Sequence, residues 1–209
     1  MEILYSDTHI VVCIKPVGIL SQADSSGGES MISELSKMYD CEIFPLHRLD
    51  KGVSGVMVYA KTKFAAAKLS QDIADRRFKK EYLAVVHGVP AEEGVMQDLL
   101  FKDSRKNKSF VVDRKRKGVK EASLQYRLIK TNGQKSLVEI LLHTGRTHQI
   151  RVQFSSRKMS LLGDKKYGAS DEYKNIALFS YRISFNHPKT NEQMVFKANE
   201  AEFINTFMQ

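Results

Sequence analysis

Two short stretches of this sequence concentrate side chains that could do chemistry. The first, HRLDKGVSG at residues 47–55, places a single carboxylate, Asp50, two positions after an arginine and shortly before an apolar run. The second, HTGRTHQIR at residues 143–151, carries two histidines and two arginines just after another apolar run. Polar groups at the ends of rigid strands are well placed to form a site that keeps its geometry.

Two chemistries fit this set of residues. In one, Asp50 acts as a nucleophile or base that a nearby arginine keeps ionised, since an opposite charge within a few ångströms favours the charged form. In the other, His47, His143 and His148 serve as general acid and base on a phosphodiester, which would make the protein a metal-independent ribonuclease. From the residues alone, a structural Asp–Arg ion pair and surface histidines remain open alternatives.

The apolar pattern predicts the elements that hold these stretches. Buried strands are expected at 9–15 and 53–61, and a helix is expected at about 30–40, after a turn-rich loop at 20–30. A second helix should follow an N-cap at Thr62. From about residue 79 the pattern turns mostly to strands, with EYLAVVHG, VMQDLLF, SFVVD, EASLQYRLIK and SLVEILLHT as the candidates.

The remaining segments complete an α/β prediction. In TNGQK, at 131–135, the Asn-Gly pair predicts a hairpin turn, because it tolerates positive φ at both central positions. A helix is expected to begin near Thr147, a hairpin-like strand pair follows at ALFSYRISF and QMVFKA, and a short helix ends the chain. Strand and helix do not alternate strictly and no phosphate-binding glycine motif is present. An α/β protein with mostly antiparallel strands is therefore predicted, not a doubly wound nucleotide fold.

The charge of the chain favours a polyanionic partner. The sequence has 33 Lys and Arg against 24 Asp and Glu, for a net charge of +9. Residues 102–120 alone hold nine basic side chains against two aspartates, with Phe101 and Phe110 interleaved, and RRFKK lies upstream at 76–80. Phosphate contact is therefore predicted for this segment, with a solvated loop as the alternative. The four residues expected to carry it are Arg114, Lys115, Arg116 and Lys117.

Several classes of protein and site lack their sequence signals. No apolar run approaches the roughly 18 residues of a membrane span and no leader pattern opens the chain, so a cytoplasmic location is predicted. Cys13 and Cys41 have no CxxC partner, which leaves a disulfide framework or a zinc site without support. The motifs of serine hydrolases, P-loop proteins and zinc proteases are absent. No repeat or linker divides the 209 residues, so a single domain over 1–209 is expected.

Six motifs, in order, resemble those of the RluA-type pseudouridine synthases. HRLDKGVSGVMVYAK is similar to the family signature HRLDxxTSGLLLxAK, and LHTGRTHQIRV at 142–152 is similar to LxTGRTHQIRxH. The other four are KPVG at 15–18, KKEYLAVVHG at 79–88, LLGDKKYG at 161–168 and FNHP at 185–188. Because the ordered set of motifs covers most of the chain, the chain is identified as a member of this family. It is expected to be a short form without a separate S4 RNA-binding domain.

The resemblance implies a fold and a reaction. The implied fold is a mixed, largely antiparallel sheet in two lobes flanked by helices, with a central active-site cleft, and the implied reaction is isomerisation of uridine to pseudouridine within RNA. Asp50 stands at the position of the catalytic aspartate, Arg151 would keep it ionised, and Tyr82 would lie against the uracil. No metal or organic cofactor is expected, because the reaction neither gains nor loses atoms.

The resemblance also implies how RNA is held. Arg48 is expected beside the opening that the target base leaves when it turns out of the stack, and Arg146 and His148 are expected to contact RNA. Large-subunit ribosomal RNA and tRNA are the two substrates expected, and the protein is expected to act as a monomer. The alternative is a non-catalytic RNA-binding or ribosome-assembly protein of the same fold.

Five positions depart from the family pattern. They are Val53 for the usual Thr, Gln153 for His, Lys158 for Gly, Ser160 for Pro and Phe179 for His. None falls on Asp50, Tyr82 or Arg151. The departures therefore bear on substrate detail more than on the chemistry.

Overall fold

The structure, a computed structural model, describes residues 1–23 and 29–209. In chain order its elements are β1 (Glu2–Ser6), β2 (Ile10–Lys15), α1 (Met31–Tyr39), β3 (Phe44–Pro45), β4 (Ser54–Ala60), α2 (Lys63–Ala74), β5 (Lys79–His87), β6 (Glu93–Asp103), β7 (Lys108–Val112), β8 (Val119–Thr131), β9 (Lys135–Leu142), α3 (Gln149–Ser155), a 3₁₀ turn (Lys165–Tyr167), β10 (Leu178–Asn186), β11 (Gln193–Lys197) and α4 (Ala201–Met208). They form two compact units, one of Met1–Lys80 with Ser180–Asn199 and one of Glu81–Phe179 with Glu200–Gln209. The turn-rich loop predicted at 20–30 lies partly outside the described residues.

In the first unit, two buried strands form the centre of the sheet. β2 pairs antiparallel with β1 on one side and with β4 on the other, and β10 lies beside β4 with β11 against it. Both β2 and β4 are almost continuously apolar and buried, as strands covered on two faces require. Gly55, at the start of β4, has a φ of +124°, and a Cβ there would collide with the backbone of Ser180.

In the second unit, five strands follow one another in the order β5-β9-β8-β6-β7, each antiparallel to its neighbours. The short helix α3 contributes Val152 to a core cluster with Leu100, Ala122 and Tyr167. The C-terminal helix α4 contributes two phenylalanines, and the ring of Phe203 stacks on that of Phe179 at 5.4 Å. The departure at Phe179 therefore has a partner in this chain.

Most of the elements predicted from the sequence are confirmed. Thr62 caps α2, because its Oγ1 accepts the Ala65 N–H at 3.2 Å. The edge strand β1 and the two-residue β3 were not predicted. The hairpin predicted at TNGQK is confirmed, since β8 and β9 pair antiparallel on either side of it. Within this loop Gly133 has positive φ, and the Asn132 side chain accepts the Gln134 and Lys135 N–H groups. Among the residues described, no helix is long and apolar enough to cross a membrane.

Lys158 stands where the backbone calls for glycine. It follows α3 with a φ of +62°, and its N–H donates to the Ser155 carbonyl at 2.9 Å. A left-handed conformation costs an L-residue roughly 1–2 kcal/mol, a cost that glycine avoids. Glycine also makes the unfolded chain more flexible, which offsets part of this stabilisation. We expect Lys158→Gly to raise the free energy of unfolding by about 1 kcal/mol in denaturant titrations. The matched control is Lys37→Gly inside α1, expected to lower it by about 1 kcal/mol; equal signs for the two variants would contradict the explanation.

Candidate active site

Asp50 lies in the turn before β4, and a buried serine holds the residue in front of it. Ser21 Oγ accepts the Leu49 N–H at 3.0 Å and donates to the Leu49 carbonyl at 2.9 Å. The Tyr59 hydroxyl in turn donates to the Ser21 carbonyl at 3.1 Å. Both Leu49 and Ser21 are buried. The chain entering the turn is therefore fixed to the core of the first unit.

The residue after Asp50 is held just as firmly. The Lys51 carbonyl accepts the Gly18 N–H at 2.8 Å, which ties the turn to the KPVG segment. The Val53 N–H donates to the Asp50 carbonyl at 3.0 Å and closes the turn. The Val53 side chain is 1% exposed, so an apolar residue suits this position. Asp50 thus projects from a turn with both ends anchored.

A buried ammonium group stands beneath this turn. Lys15 is fully buried, and its Nζ donates to the carbonyls of Pro16 and Ile19 at 2.8 Å each and to that of Lys51 at 3.4 Å. Burial lowers the pKa of Lys15 to about 8, although the charge of Asp50 opposes the shift. The hydrogen bonds of Lys15 join the KPVG segment to the turn.

His47 is held in a neutral state. Its Nε2 accepts the Val58 N–H at 3.3 Å, which leaves the proton on Nδ1, and its ring lies 5.7 Å from that of Phe78. Burial, with the charge of Lys80, lowers the pKa of His47 to about 3. A group with so low a pKa is a poor general acid or base near neutral pH. The ribonuclease alternative therefore receives no support at this residue.

The lowered pKa of His47 should make the protein sensitive to acid. A histidine whose pKa is lower in the folded chain than in the unfolded chain binds protons mainly when unfolded, so stability falls as pH falls below about 6.5. Between pH 7 and pH 5 we expect His47 to lower the free energy of unfolding by about 2 kcal/mol. In His47→Gln, whose amide oxygen can accept the Val58 N–H, this pH dependence should flatten. His143→Gln is the control, and identical slopes for both variants would refute the assignment.

In the second unit, Arg151 is paired inside the protein core. Its Nε and Nη2 donate to the two carboxylate oxygens of Asp164 at 2.7 and 2.8 Å, a bidentate pair. Arg151 is 5% exposed and Asp164 1%. The guanidinium also lies over the ring of Tyr167, 5.1 Å from its centre. Asp164 and Tyr167 therefore fix the orientation of Arg151, while its predicted pairing with Asp50 stays a prediction.

Tyr167 also joins the second motif to strand β7, which lies within the basic segment 102–120. Its hydroxyl accepts the Ser109 N–H at 2.8 Å and lies 3.0 Å from His148 Nδ1. Ser109 Oγ donates to the Thr147 carbonyl at 2.6 Å. Burial raises the pKa of Tyr167, so its hydroxyl keeps its proton. His148 has a φ of +54°, a strained conformation that these contacts hold at the start of α3.

Side-chain oxygens and backbone groups support the other predicted residues of this motif. Gln149 Oε1 accepts the Thr144 hydroxyl at 2.7 Å and the Arg146 N–H at 3.1 Å. The exposed Arg146 donates its Nε to the Glu121 carbonyl on β8 at 2.9 Å. This contact leaves the guanidinium of Arg146 at the surface, as an RNA contact requires.

The remaining predicted residues differ in burial. Tyr82 is 5% exposed on β5, opposite Ile140, and Arg48 is exposed in the first unit beside Asp50. The predicted phosphate-binding residues, here called the basic cluster, are all exposed between β7 and β8: Arg114, Lys115, Arg116 and Lys117. Lys115 pairs with Glu121 at 2.5 Å, a contact that is too exposed to fix either side chain.

One further departure from the motifs has structural partners. Gln153 is fully buried, and its Nε2 donates to Asp98 at 2.6 Å and to the Met96 carbonyl at 3.3 Å.

Asp164 and Tyr167 were not assigned roles from the sequence. The available signal was their place in LLGDKKYG, where an aspartate and a tyrosine stand three positions apart.

Comparison with known proteins gives consistent results. A family model described as "RNA pseudouridylate synthase" matches residues 9–156. Ribosomal large subunit pseudouridine synthase C of Buchnera aphidicola is 32% identical over 94% of this chain and 66% of its own length. Synthase D of Zymomonas mobilis is 33% identical over 95% and 68%. The chain thus spans about two thirds of the length of these curated relatives.

Solved structures match over a larger share of their length. Human RNA Pseudouridylate Synthase Domain Containing 4 superimposes with a TM-score of 0.81, covering 99% of this chain and 92% of that one at 23% identity. Human RNA Pseudouridylate Synthase Domain Containing 1 gives 0.78, with 95% and 82% covered at 21% identity. At these identities the likeness shows the fold, which is the α/β fold expected from the motifs.

Proposed function

The chain belongs to the RNA pseudouridylate synthase family of isomerases, and from this premise we propose that it converts uridine to pseudouridine in RNA with Asp50 as the essential carboxylate. The observation that carries the proposal is the support of Asp50. Its turn is anchored at Leu49 and at Lys51, with the ammonium of Lys15 beneath it. A nucleophile gains most from such support, because small misplacements are costly in rate.

The proposed reaction needs only side chains of the protein. Asp50 acts first on the target nucleoside, by attack on the sugar, by attack on the base or by removal of a sugar proton. The bond between the sugar and N1 of uracil breaks, the base turns, and its C5 bonds to the sugar. C5 releases a proton and N1 takes one up, so the reaction gains and loses no atoms. Arg151, oriented by Asp164, keeps Asp50 ionised in the reacting complex. Tyr82 lies against the uracil, and Arg48 fills the opening left by the extruded base.

We propose large-subunit ribosomal RNA as the first substrate to test, with tRNA as the second. The relatives named above act, by their names, on the ribosomal large subunit. Purified protein should form pseudouridine in unmodified transcripts, with or without a chelator of divalent metals. RNA that binds and stays unmodified would favour the non-catalytic alternative, and shortened RNA would favour a ribonuclease. Mapping the pseudouridines lost from total RNA when the gene is deleted identifies the target.

The state in which the protein works is proposed from the same expectations. Residues 1–209 act as one catalytic domain, as a monomer in the cytoplasm, with RNA as the partner. Sedimentation of the purified protein with and without RNA tests the monomer, and a dimer at assay concentrations would contradict it.

The basic cluster is expected to bind phosphates. Replacing its four residues, Arg114, Lys115, Arg116 and Lys117, by Gln should weaken RNA binding and reduce the slope of log affinity against log salt. Each lost contact removes ~0.7–0.9 from that slope. The control changes the net charge equally on other exposed lysines: Lys37, Lys63, Lys68 and Lys189. An unchanged slope in the cluster variant, or an equal change in the control, would mean that the cluster is a solvated loop that does not bind phosphates.

A further inference from the structure

The sheet of the second unit carries an apolar patch on its outer face. In β6, Leu100 points to the core while Leu99 and Phe101 point outward, because side chains alternate along a strand. Phe101 lies opposite Phe110 of β7, and Phe110 is 37% exposed. We call five outward-facing apolar residues of β6, β7 and the neighbouring β8 the sheet patch: Leu99, Phe101, Phe110, Val112 and Val119. Apart from Phe110, the residues of the sheet patch are partly exposed.

Cations border the sheet patch. The Arg116 guanidinium lies over the ring of Phe101, 5.1 Å from its centre, and Lys108 Nζ lies 5.8 Å from the centre of the Phe110 ring. Residues 102–120 hold nine basic side chains against two aspartates. Five apolar side chains that share one partly exposed face of a sheet form a candidate interaction surface. The charge around it selects a polyanion that also offers flat apolar faces, which describes a nucleic-acid strand with exposed bases.

We propose that the sheet patch is a stacking platform for an unpaired base of the RNA substrate, with the Phe110 ring as its floor and the neighbouring cations on the flanking phosphates. The proposal rests on the proposed function and adds where the RNA outside the reacting uridine is held. Sheets that bind single-stranded RNA place aromatic side chains under the bases in this way. A duplex does not fit, because the faces of its bases are already stacked on one another.

The lack of tryptophan makes a direct test possible. The chain contains none, so Phe110→Trp introduces a single reporter whose emission is quenched when a base stacks on it. The probe is a short RNA without secondary structure, alone or annealed to its complement. The control is Ile129→Trp, which is 45% exposed and lies on the same strand as Val119, about 33 Å along it. We expect the single strand to quench the tryptophan at position 110. We expect no quenching by the duplex and none at position 129.

A second variant separates stacking from charge. Phe110→Ala should weaken binding of the single strand about tenfold and leave the salt slope unchanged, since no phosphate contact is lost. The basic-cluster variant should also weaken binding, but with a reduced slope. If the emission of the Phe110→Trp variant stays unquenched at saturating RNA, the stacking proposal is wrong. The proposed function would still stand, provided that the wild-type protein isomerises uridine. A concentration-dependent shift of that emission without RNA would instead assign the patch to a second copy of the chain.

Discussion

Replacing Asp50 by Asn is expected to abolish isomerisation while leaving the fold and the RNA affinity in place. The amide has nearly the shape of the carboxylate, but it is neither a nucleophile nor a base at neutral pH. Loss of such a group typically removes ~10⁴-fold or more of the rate. The measurement is the release of tritium from C5 of labelled uridine, because the new carbon–carbon bond displaces that hydrogen.

The control for this result is Asp40→Asn. Asp40 is an exposed carboxylate at the end of α1 with a φ of 50°, a conformation that Asn also tolerates, so this variant should keep full activity. Thermal unfolding of both variants shows whether the Asp50 turn still folds, and its anchors at Leu49 and Lys51 do not involve the carboxylate. Tritium release by Asp50→Asn at more than a trace would mean that another group carries the reaction.

The sequence identified the elements whose burial leaves a continuous pattern. β2 and β4 are unbroken apolar runs, and α2 begins at a capping threonine, so local residues were sufficient to predict them. β1 is a half-buried edge strand with a charged residue at its start, and such a strand resembles a loop in sequence. The TNGQK hairpin could be predicted from its Asn-Gly pair, but the bonds of the Asn132 side chain to the backbone two and three residues on could not.

The site divides in the same way. Asp50 and Arg151 stand in ordered motifs and could be proposed from the sequence. The bidentate pair of Arg151 with Asp164 spans 13 positions and depends on the turn after α3, which no local pattern reveals. Lys15 belongs to the KPVG motif, but the sequence does not reveal its role. That role depends on three carbonyl groups that only the folded chain brings together.

Asp164→Ala is expected to have the largest effect on stability. It leaves the guanidinium of Arg151 buried without its carboxylate partner, and breaking a buried ion pair in this way costs about 3–5 kcal/mol. Denaturant unfolding measures the loss. Lys115→Ala removes an exposed pair with Glu121 and should cost far less, because solvent screens the two charges. Equal losses in the two variants would show that the burial of Arg151 does not decide the cost.

A double replacement separates the structural part of this pair from the catalytic part. In Arg151→Met with Asp164→Leu, no unpaired charge stays in the core, so much of the stability lost in Asp164→Ala should return. Activity should not return, because the proposed role of Arg151 is to keep Asp50 ionised, and an apolar side chain cannot do that. A stable and active double variant would place the counter-charge of Asp50 elsewhere, and Lys15, whose Nζ is held at the same turn, would be the residue to test next.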